Sequence, residues 1–419
     1  MKVLFVTPAG GLGGGERSLL DILSVLRGGD VDASLLMLEP GPLEGEARGL
    51  GVETRVLPMP QAMIETGDFG LAAKGYFDGL AELAVRSARM APELLRYVAQ
   101  LRVALGHGLP DIVHTNGIKA HLLCAVAKPP RPRLLWHIRD FIGRRPHVHR
   151  ALRLVARRAT LALANSEAVA EDARHVLPGL TVRTLYNAID TEAFSPGPVH
   201  AAFLDALAGL PAAPPGVLRI GLVATYARWK GHELFLRAAA TLVRQAQPIP
   251  LRFYIVGGPL YATPGSQYSE PELRGLAREL GVYEHVGFVP FQASPRDVYR
   301  ALDIVVQAST RPEPFGRTIV EAMACGRPVL VARGGGAVEL FDDGVEAQGF
   351  EPGDVLDLAS ELAKLVGSST RRAALADRAR ARVTRQFGRP SLRAALYSNW
   401  EPLEHQPVER RRSAASRSR

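Results

Sequence analysis

Pro312-Glu313-Pro314-Phe315-Gly316-Arg317-Thr318-Ile319-Val320-Glu321-Ala322-Met323-Ala324-Cys325-Gly326-Arg327-Pro328-Val329-Leu330-Val331-Ala332-Arg333-Gly334-Gly335-Gly336 runs from loop to helix to strand. Pro314 and Gly316 disfavour helix, and Thr318 to Ala324 is a run of helix formers closed by Gly326 and Pro328. Val329 to Ala332 is an apolar, β-branched run that reads as the following strand. A loop entering a helix that returns to a buried strand is the unit of an α/β fold. It aims the backbone N–H groups of residues 316 to 318 at whatever lies over the helix start, where dipole and unpaired donors favour a phosphate. Glu313 and Glu321 repel phosphate and would accept hydrogen bonds from hydroxyls instead.

The same alternation extends on both sides. Upstream, Leu218–Ala224 reads as a strand, and a loop with two cations, Arg228 and Lys230, enters a helix over Leu234–Gln245. Leu251–Val256, His285–Phe288 and Ile304–Gln307 read as further strands, with helices over Glu272–Leu280 and Val298–Leu302 between them. Downstream, Val355–Phe387 is helical and Leu392–Trp400 is a last helix. The first half opens with a strand over Lys2–Thr7, a glycine loop from Pro8 to Arg17 and a helix over Ser18–Arg27. Ala33–Leu38 and Val52–Leu57 are further strands, and Leu71–Gly106 is long and helical, in two helices or more. Strands then end at His114-Thr115-Asn116, at His137-Ile138-Arg139, at Asn165 before the helix cap Ser166, and at Asn187. Strands alternating with helices throughout predict two mostly parallel, doubly wound sheets. Ala- and Pro-rich sequence between about 190 and 216 reads as the linker. The expected division is residues 1–196, residues 197–388, a helix over 389–405 packing back on the first domain, and a disordered basic tail over 406–419.

Composition narrows the function. At 419 residues with 47% hydrophobic residues, the chain can build two cores. No apolar run reaches the roughly 18 residues of a membrane span, so a soluble or at most peripheral protein is expected. The start Met1-Lys2-Val3-Leu4-Phe5-Val6 reads as a first strand rather than a signal peptide, which suggests a cytoplasmic location. Cys124 and Cys325, both in apolar contexts, argue against a disulfide framework or a cysteine metal site. The formal charge of +9 is partly carried by the arginine-rich tail. The remaining excess suits an anionic substrate or membrane surface, and with no basic stripe interleaved with aromatics, nucleic-acid binding is not expected. The glycines of the first loop fit neither the dinucleotide fingerprint nor a P-loop, because Glu16 stands at the third glycine position and no Gly-Lys-Ser/Thr follows.

Two doubly wound halves facing across a linker create one cleft at their strand ends. The chemistry falls on those edges: cations at Arg228 and Lys230, a phosphate-receptive helix start, and two carboxylates for hydroxyls. A diphosphate flanked by hydroxyl-rich groups is a nucleotide sugar. From Met1 to about Trp400 the chain resembles the GT-B glycosyltransferases of retaining family 4, the glycosyl transferases group 1. The resemblance rests on Glu313 and Glu321 as the Glu-x7-Glu signature followed by Ala-Met-Ala-Cys-Gly-Arg-Pro-Val. It rests also on Gly13-Gly14-Gly15-Glu16, on Lys230-Gly231, and on Asn187-Ala188-Ile189-Asp190 leading to Phe194, with alanine where the family has glycine.

That resemblance implies a metal-independent, cofactor-free hexosyltransferase of the GT-B fold. Lys230, with Arg228, would stabilise the departing diphosphate. Glu313 would bind hydroxyls of the transferred sugar and Glu321 those of the ribose. The backbone of Phe315, Gly316, Arg317 and Thr318 would contact sugar and phosphate. Gly13, Gly14 and Glu16 mark the first-domain loop, with Gly14 under the diphosphate, and His137, which taken alone would read as structural, matches the histidine near the reacting sugar. One departure is that the family's Gly-Arg ahead of the lysine is here Ala224-Thr225, so Arg228 is read as supplying the charge. The implied donor is a UDP- or GDP-linked sugar. The implied acceptor is a saccharide or lipid-linked saccharide of cell-surface polysaccharide or glycoconjugate synthesis. Arg144, Arg145, Arg150, Arg153, Arg157 and Arg158 suggest peripheral contact with an anionic membrane at its inner face. The alternatives are a GT-B phosphorylase or epimerase, or a non-catalytic nucleotide-sugar binder.

Overall fold

A computed structural model describes residues 1–61, 78–200, 202–245, 249–259 and 265–404, and within these the side chains of residues 78–91 and 404 are not described. The tail, residues 62–69 of a first-domain loop and residues 71–77 of the long helical region therefore lie outside the described residues. The first sheet holds β1 (Lys2–Thr7), β2 (Asp32–Met37), β3 (Glu53–Val56), β4 (Ile112–Asn116), β5 (Arg133–Ile138), β6 (Leu161–Ala164) and β7 (Val182–Thr184), in the order β3-β2-β1-β4-β5-β6-β7. The second holds β8 (Leu218–Val223), β9 (Leu251–Gly257), β10 (Val286–Pro290), β11 (Ile304–Gln307), β12 (Val329–Ala332) and β13 (Gln348–Phe350), in the order β10-β9-β8-β11-β12-β13. Every pairing within the two sheets is parallel.

Parallel strands need helical crossovers on both faces, so successive residues of one strand are buried on opposite sides. On β1, Leu4 and Val6 join the core beneath one set of helices while Val3 and Phe5 join the core beneath the other. Ile220 and Leu222 of β8 belong to one core of the second domain, and Tyr254 and Val256 of β9 to the other. Two doubly wound domains follow directly.

Two local readings change. The first helix starts at Gly14 rather than Ser18, because Gly14, Gly15 and Glu16 continue into its first turn; it spans Gly14–Leu26 with Gly13 as a cap that offers no side chain. The helical run after Val355 is broken at Gly367 into Val355–Val366 and Ser369–Gln386, each capped by its own oxygen side chain, Asp354 and Ser368. Among the described residues the long first-domain helix is one element, Asp78–Gly106, and it carries Pro92 inside. Ser166 caps the helix Glu167–Val176 by accepting from the Val169 N–H at 3.1 Å.

The last helix, Arg389–Glu404, sends Leu392, Leu396 and Trp400 into the core formed by β1 and the helix Gly14–Leu26. The chain thus crosses between the domains twice, at residues 187–196 and at 387–389. The two crossings touch: the Ile189 N–H donates to the Phe387 carbonyl at 2.9 Å, and Ile189 forms a parallel bridge with Gly388.

Candidate active site

In an open parallel sheet a crevice forms at the strand ends where the order reverses. In the second sheet that point lies between β8 and β11, and the loops leaving these two strands carry Lys230 and Glu313. The Lys230 ammonium lies 2.9 and 2.7 Å from the two oxygens of Glu313. Glu313 is 8% exposed and also accepts from the Ser309 hydroxyl at 2.8 Å and the Gln307 amide at 3.3 Å. Trp229 lies under the ammonium, 4.0 Å from the ring centroid, a cation–π contact that fixes its direction. Gly231 is forced by space and by dihedral: its φ is +77°, and a Cβ there would lie 1.8 Å from the Ala308 carbonyl oxygen.

The helix Arg317–Ala324 begins on Gly316, whose φ of 98° and lack of a capping side chain leave the first N–H groups without a side-chain partner. The Glu313 backbone is pinned beside it, with the Gly336 N–H donating to the Glu313 carbonyl at 2.8 Å. Phe315 is a core residue, 2% exposed and packed edge-on against Phe387, so only its backbone is free to meet a ligand. Thr318 is half-buried in the first turn. Glu321 is almost fully buried; it accepts from Arg317 at 2.7 Å and from the Tyr299 hydroxyl at 2.9 Å. In this conformation its carboxylate is therefore engaged within the protein. Burial pushes the Tyr299 phenol well above its usual range, reinforced by Glu321.

Arg317 joins the halves. It donates to Asp21 of the first helix at 2.6 Å, and Asp21 also receives Arg389 at 3.3 Å. Burial lowers the Arg317 guanidinium and its two carboxylate partners raise it, with a net rise. Arg17 donates to the Ala293 carbonyl at 2.6 Å, and Glu339 of the second domain accepts the Glu167 and Ala168 N–H groups at 2.8 Å each, at the first turn of a first-domain helix.

On the first domain, Gly13 and Gly14 stand at the helix start, and a Cβ on Gly14 would meet no protein atom within 4 Å. Burial raises the Glu16 carboxyl, against backbone N–H groups and Arg139, which lower it. His137 is buried at 1% exposure, with Nδ1 3.3 Å from Arg139 Nη2 and 3.2 Å from His114 Nε2. A guanidinium only donates, so Nδ1 must accept, and His137 is neutral with its proton on Nε2. Burial holds His137 well below the usual histidine range, and Arg139 adds to that. The structure does not bring Arg228 to the Lys230–Glu313 pair. Its exposed guanidinium donates to Glu272 at 2.8 Å and to the Gly265 carbonyl at 3.1 Å, and stacks 4.2 Å from the Tyr268 ring centroid.

Sequence reasoning does not single out Arg139, Asp21, Arg389 or Glu339. Arg139 carries a signal: it lies two residues beyond His137 at a strand end, so period two puts both on one face. The other three act across the domain boundary and carry no local pattern. Among the described residues no group of three or more His, Cys, Asp or Glu is placed to hold a metal ion, and no helix is long and apolar enough to cross a membrane.

Comparison with known proteins agrees with this fold. Residues 12–193 match the model described as Glycosyltransferase Family 4, and residues 212–382 match Glycosyl transferases group 1. A D-inositol 3-phosphate glycosyltransferase of Rhodococcus erythropolis is 39% identical over 171 residues, which take in 39% of this chain and 37% of that protein. The match thus spans well under half the length of that relative. One from Corynebacterium urealyticum is 28% identical over 402 residues, 89% of this chain and 84% of that one. Among solved structures, Anabaena HepE in complex with UDP and glucose has a TM-score of 0.75 at 25% identity, covering 96% of this chain and 99% of that one. Sucrose-phosphate synthase from Thermosynechococcus elongatus, at 16% identity, shares the fold with a TM-score of 0.72 over 96% of this chain and 99% of its own. With both halves matched and the Lys230–Glu313 pair at the second switch point, the chain belongs to the GT-B glycosyltransferases of the family 4, group 1 type.

Proposed function

We propose that this transferase moves a sugar, with retention at the anomeric carbon, from a UDP- or GDP-linked donor to a saccharide or lipid-linked acceptor of cell-surface glycoconjugate synthesis. The observation that carries the reading is the Lys230–Glu313 pair beside the uncapped helix start at Gly316. When a diphosphate arrives at that start, its oxygens compete for the Lys230 ammonium, and Glu313 is released to accept hydroxyls of the sugar. Lys230 then stabilises charge on the leaving phosphate, and in the front-face route that phosphate assists removal of the acceptor proton. Arg228 adds charge by leaving Glu272, an exposed and solvent-screened partner that holds it weakly. Glu321 meets the ribose after exchanging its contact with Arg317. HepE, crystallised with UDP and with UDP-glucose, favours the uridine branch.

The helix Pro146–Val155 supports membrane contact: Arg150 and Arg153 are exposed on it, and Leu154, between them and the following Arg157 and Arg158, is 85% exposed. Cosedimentation with liposomes that shows no dependence on anionic lipid removes that part. The reading as a whole is tested by a thermal-shift and hydrolysis screen over UDP-, GDP-, ADP- and dTDP-sugars. One nucleotide series stabilising the protein and its sugar being slowly hydrolysed is the expected result. Stabilisation by a nucleotide without hydrolysis or transfer favours the non-catalytic binder instead.

A further inference from the structure

We propose that Arg139 of the first domain is a ligand-binding residue: its guanidinium, beside the start of the helix Gly14–Leu26, forms a second site for a phosphate-type anion. The guanidinium donates to Asn116 Oδ1, to Asn187 Oδ1 at 2.6 Å and to His137 Nδ1 at 3.3 Å. All three acceptors are neutral groups, and among the described residues no carboxylate lies within ion-pair distance of Arg139. The remaining charges nearby are accounted for. Asp21 is taken by Arg317 and Arg389, and Arg317 is shared with Glu321. Glu16 favours the cation through its field without pairing with it; burial raises its carboxyl, and backbone N–H groups and Arg139 lower it.

Three of the five guanidinium N–H groups are used by these acceptors, which leaves one on Nη1 and one on Nη2, the pair that grips a phosphate in a fork. The place suits an anion. Arg139 lies just beyond β5, reaches back to Asn116 at the end of β4, and passes under the first helical turn, since a Cβ on Gly15 would lie 3.6 Å from Arg139 Cδ. That helix start has no capping side chain. His137, whose Nδ1 meets the guanidinium, has its Nε2 fully buried with no partner among the described residues. Asn187, which the sequence singles out without a role, now has one: with Asn116 it holds the guanidinium in place without neutralising it.

The inference rests on the transferase reading for the source of the anion, which is either the donor diphosphate or a phosphorylated acceptor. The inositol phosphate named for the relatives belongs to the second class. Calorimetric titration of the full chain separates them, using inorganic pyrophosphate, UDP, uridine, inositol phosphate and inositol against wild type, Arg139→Gln and Arg139→Lys. Wild type binds pyrophosphate or inositol phosphate, and Arg139→Gln weakens it by about ten- to a hundredfold, while uridine and inositol are unaffected. Arg139→Lys falls between, since it keeps the charge and loses the fork. Loss on pyrophosphate and UDP assigns the donor, and loss on inositol phosphate alone assigns the acceptor. Equal affinity of wild type and Arg139→Gln for every phosphate overturns the proposal, as does no phosphate binding by wild type. If the Gln variant does not fold, the Lys variant decides: affinity equal to wild type overturns it. Wild type that binds pyrophosphate but neither UDP nor uridine corrects the donor base and leaves Arg139 to be judged on pyrophosphate.

Discussion

Replacing Lys230 by methionine strands the Glu313 carboxylate in a site where only the Ser309 hydroxyl and the Gln307 amide remain to solvate it. Breaking a buried pair from one side costs about 3–5 kcal/mol. Lys230 keeps 21% side-chain exposure, so water offsets part of that. We therefore expect Lys230→Met to lose about 2–4 kcal/mol at pH 7. Adding Glu313→Gln removes the charge and keeps both hydrogen bonds, so the double variant should recover to within about 1 kcal/mol of wild type. Activity should behave differently: both variants lose about 10²- to 10³-fold in kcat, because the Lys230 ammonium no longer meets the leaving phosphate. Urea unfolding followed by tryptophan fluorescence at pH 7, with donor hydrolysis alongside, measures each quantity. A Lys230→Met protein as stable as wild type at pH 7, or a double variant that regains activity with stability, refutes the reasoning.

Other outcomes follow from the same structure. Gly231→Ala meets both a left-handed φ and the Ala308 carbonyl, so it should cost about 2–5 kcal/mol and displace Lys230; a variant with wild-type stability and turnover contradicts this. Burial lowers His114, His121 and His232 to about 3. They stay neutral in the fold while the unfolded chain protonates below about 6.5, so stability is lost as pH falls from there toward 3. Each such group adds about 1.4 kcal/mol per pH unit to the loss once the unfolded chain is fully protonated. Equal urea midpoints at pH 7 and pH 5 contradict that. Arg228→Ala should slow donor turnover and leave the melting temperature nearly unchanged, because its partner Glu272 is exposed; unchanged turnover removes Arg228 from the site. Arg317→Met leaves Asp21 and Glu321 buried with less compensation and should cost about 3–5 kcal/mol, read by urea unfolding, a loss that further replacement of Glu321 by glutamine partly restores.

Much of the fold is legible because parallel strands buried on both faces read as apolar runs, and the loops leaving the strands between Leu218 and Gln307 carry chemistry-bearing residues; β8 to β12 fall within two residues of their expected bounds. β13 escapes the sequence reading because Gln348-Gly349-Phe350 has neither length nor apolar character, although burial on both faces makes it a strand. The expected glycine loop is too long because glycine lowers helix propensity, while the observed first turn tolerates it where no Cβ contact is needed. In the site, residue types at Lys230, Glu313 and Gly316 point to phosphate and hydroxyl recognition. Their mutual arrangement is hidden: the Lys230–Glu313 pair spans 83 positions and Arg317–Asp21 spans 296. Sequence periodicity reports which face a residue takes, and it carries nothing about which distant charge it meets.

The bridge between Ile189 and Gly388 has a mechanical consequence. Two chain crossings pinned to each other hold the domains at one shared point, so relative motion is expected to be rotation about that pin rather than sliding past it. Arg389 and Asp190, 2.5 Å apart, and Arg380 on the Thr191 carbonyl at 2.9 Å reinforce that pin on either side. Travel then grows with distance from the pin. The contacts of Arg17 on Ala293 and Glu339 on the helix start at Glu167 would set how far the cleft closes, and it would open widest at whichever of them lies farther from the pin.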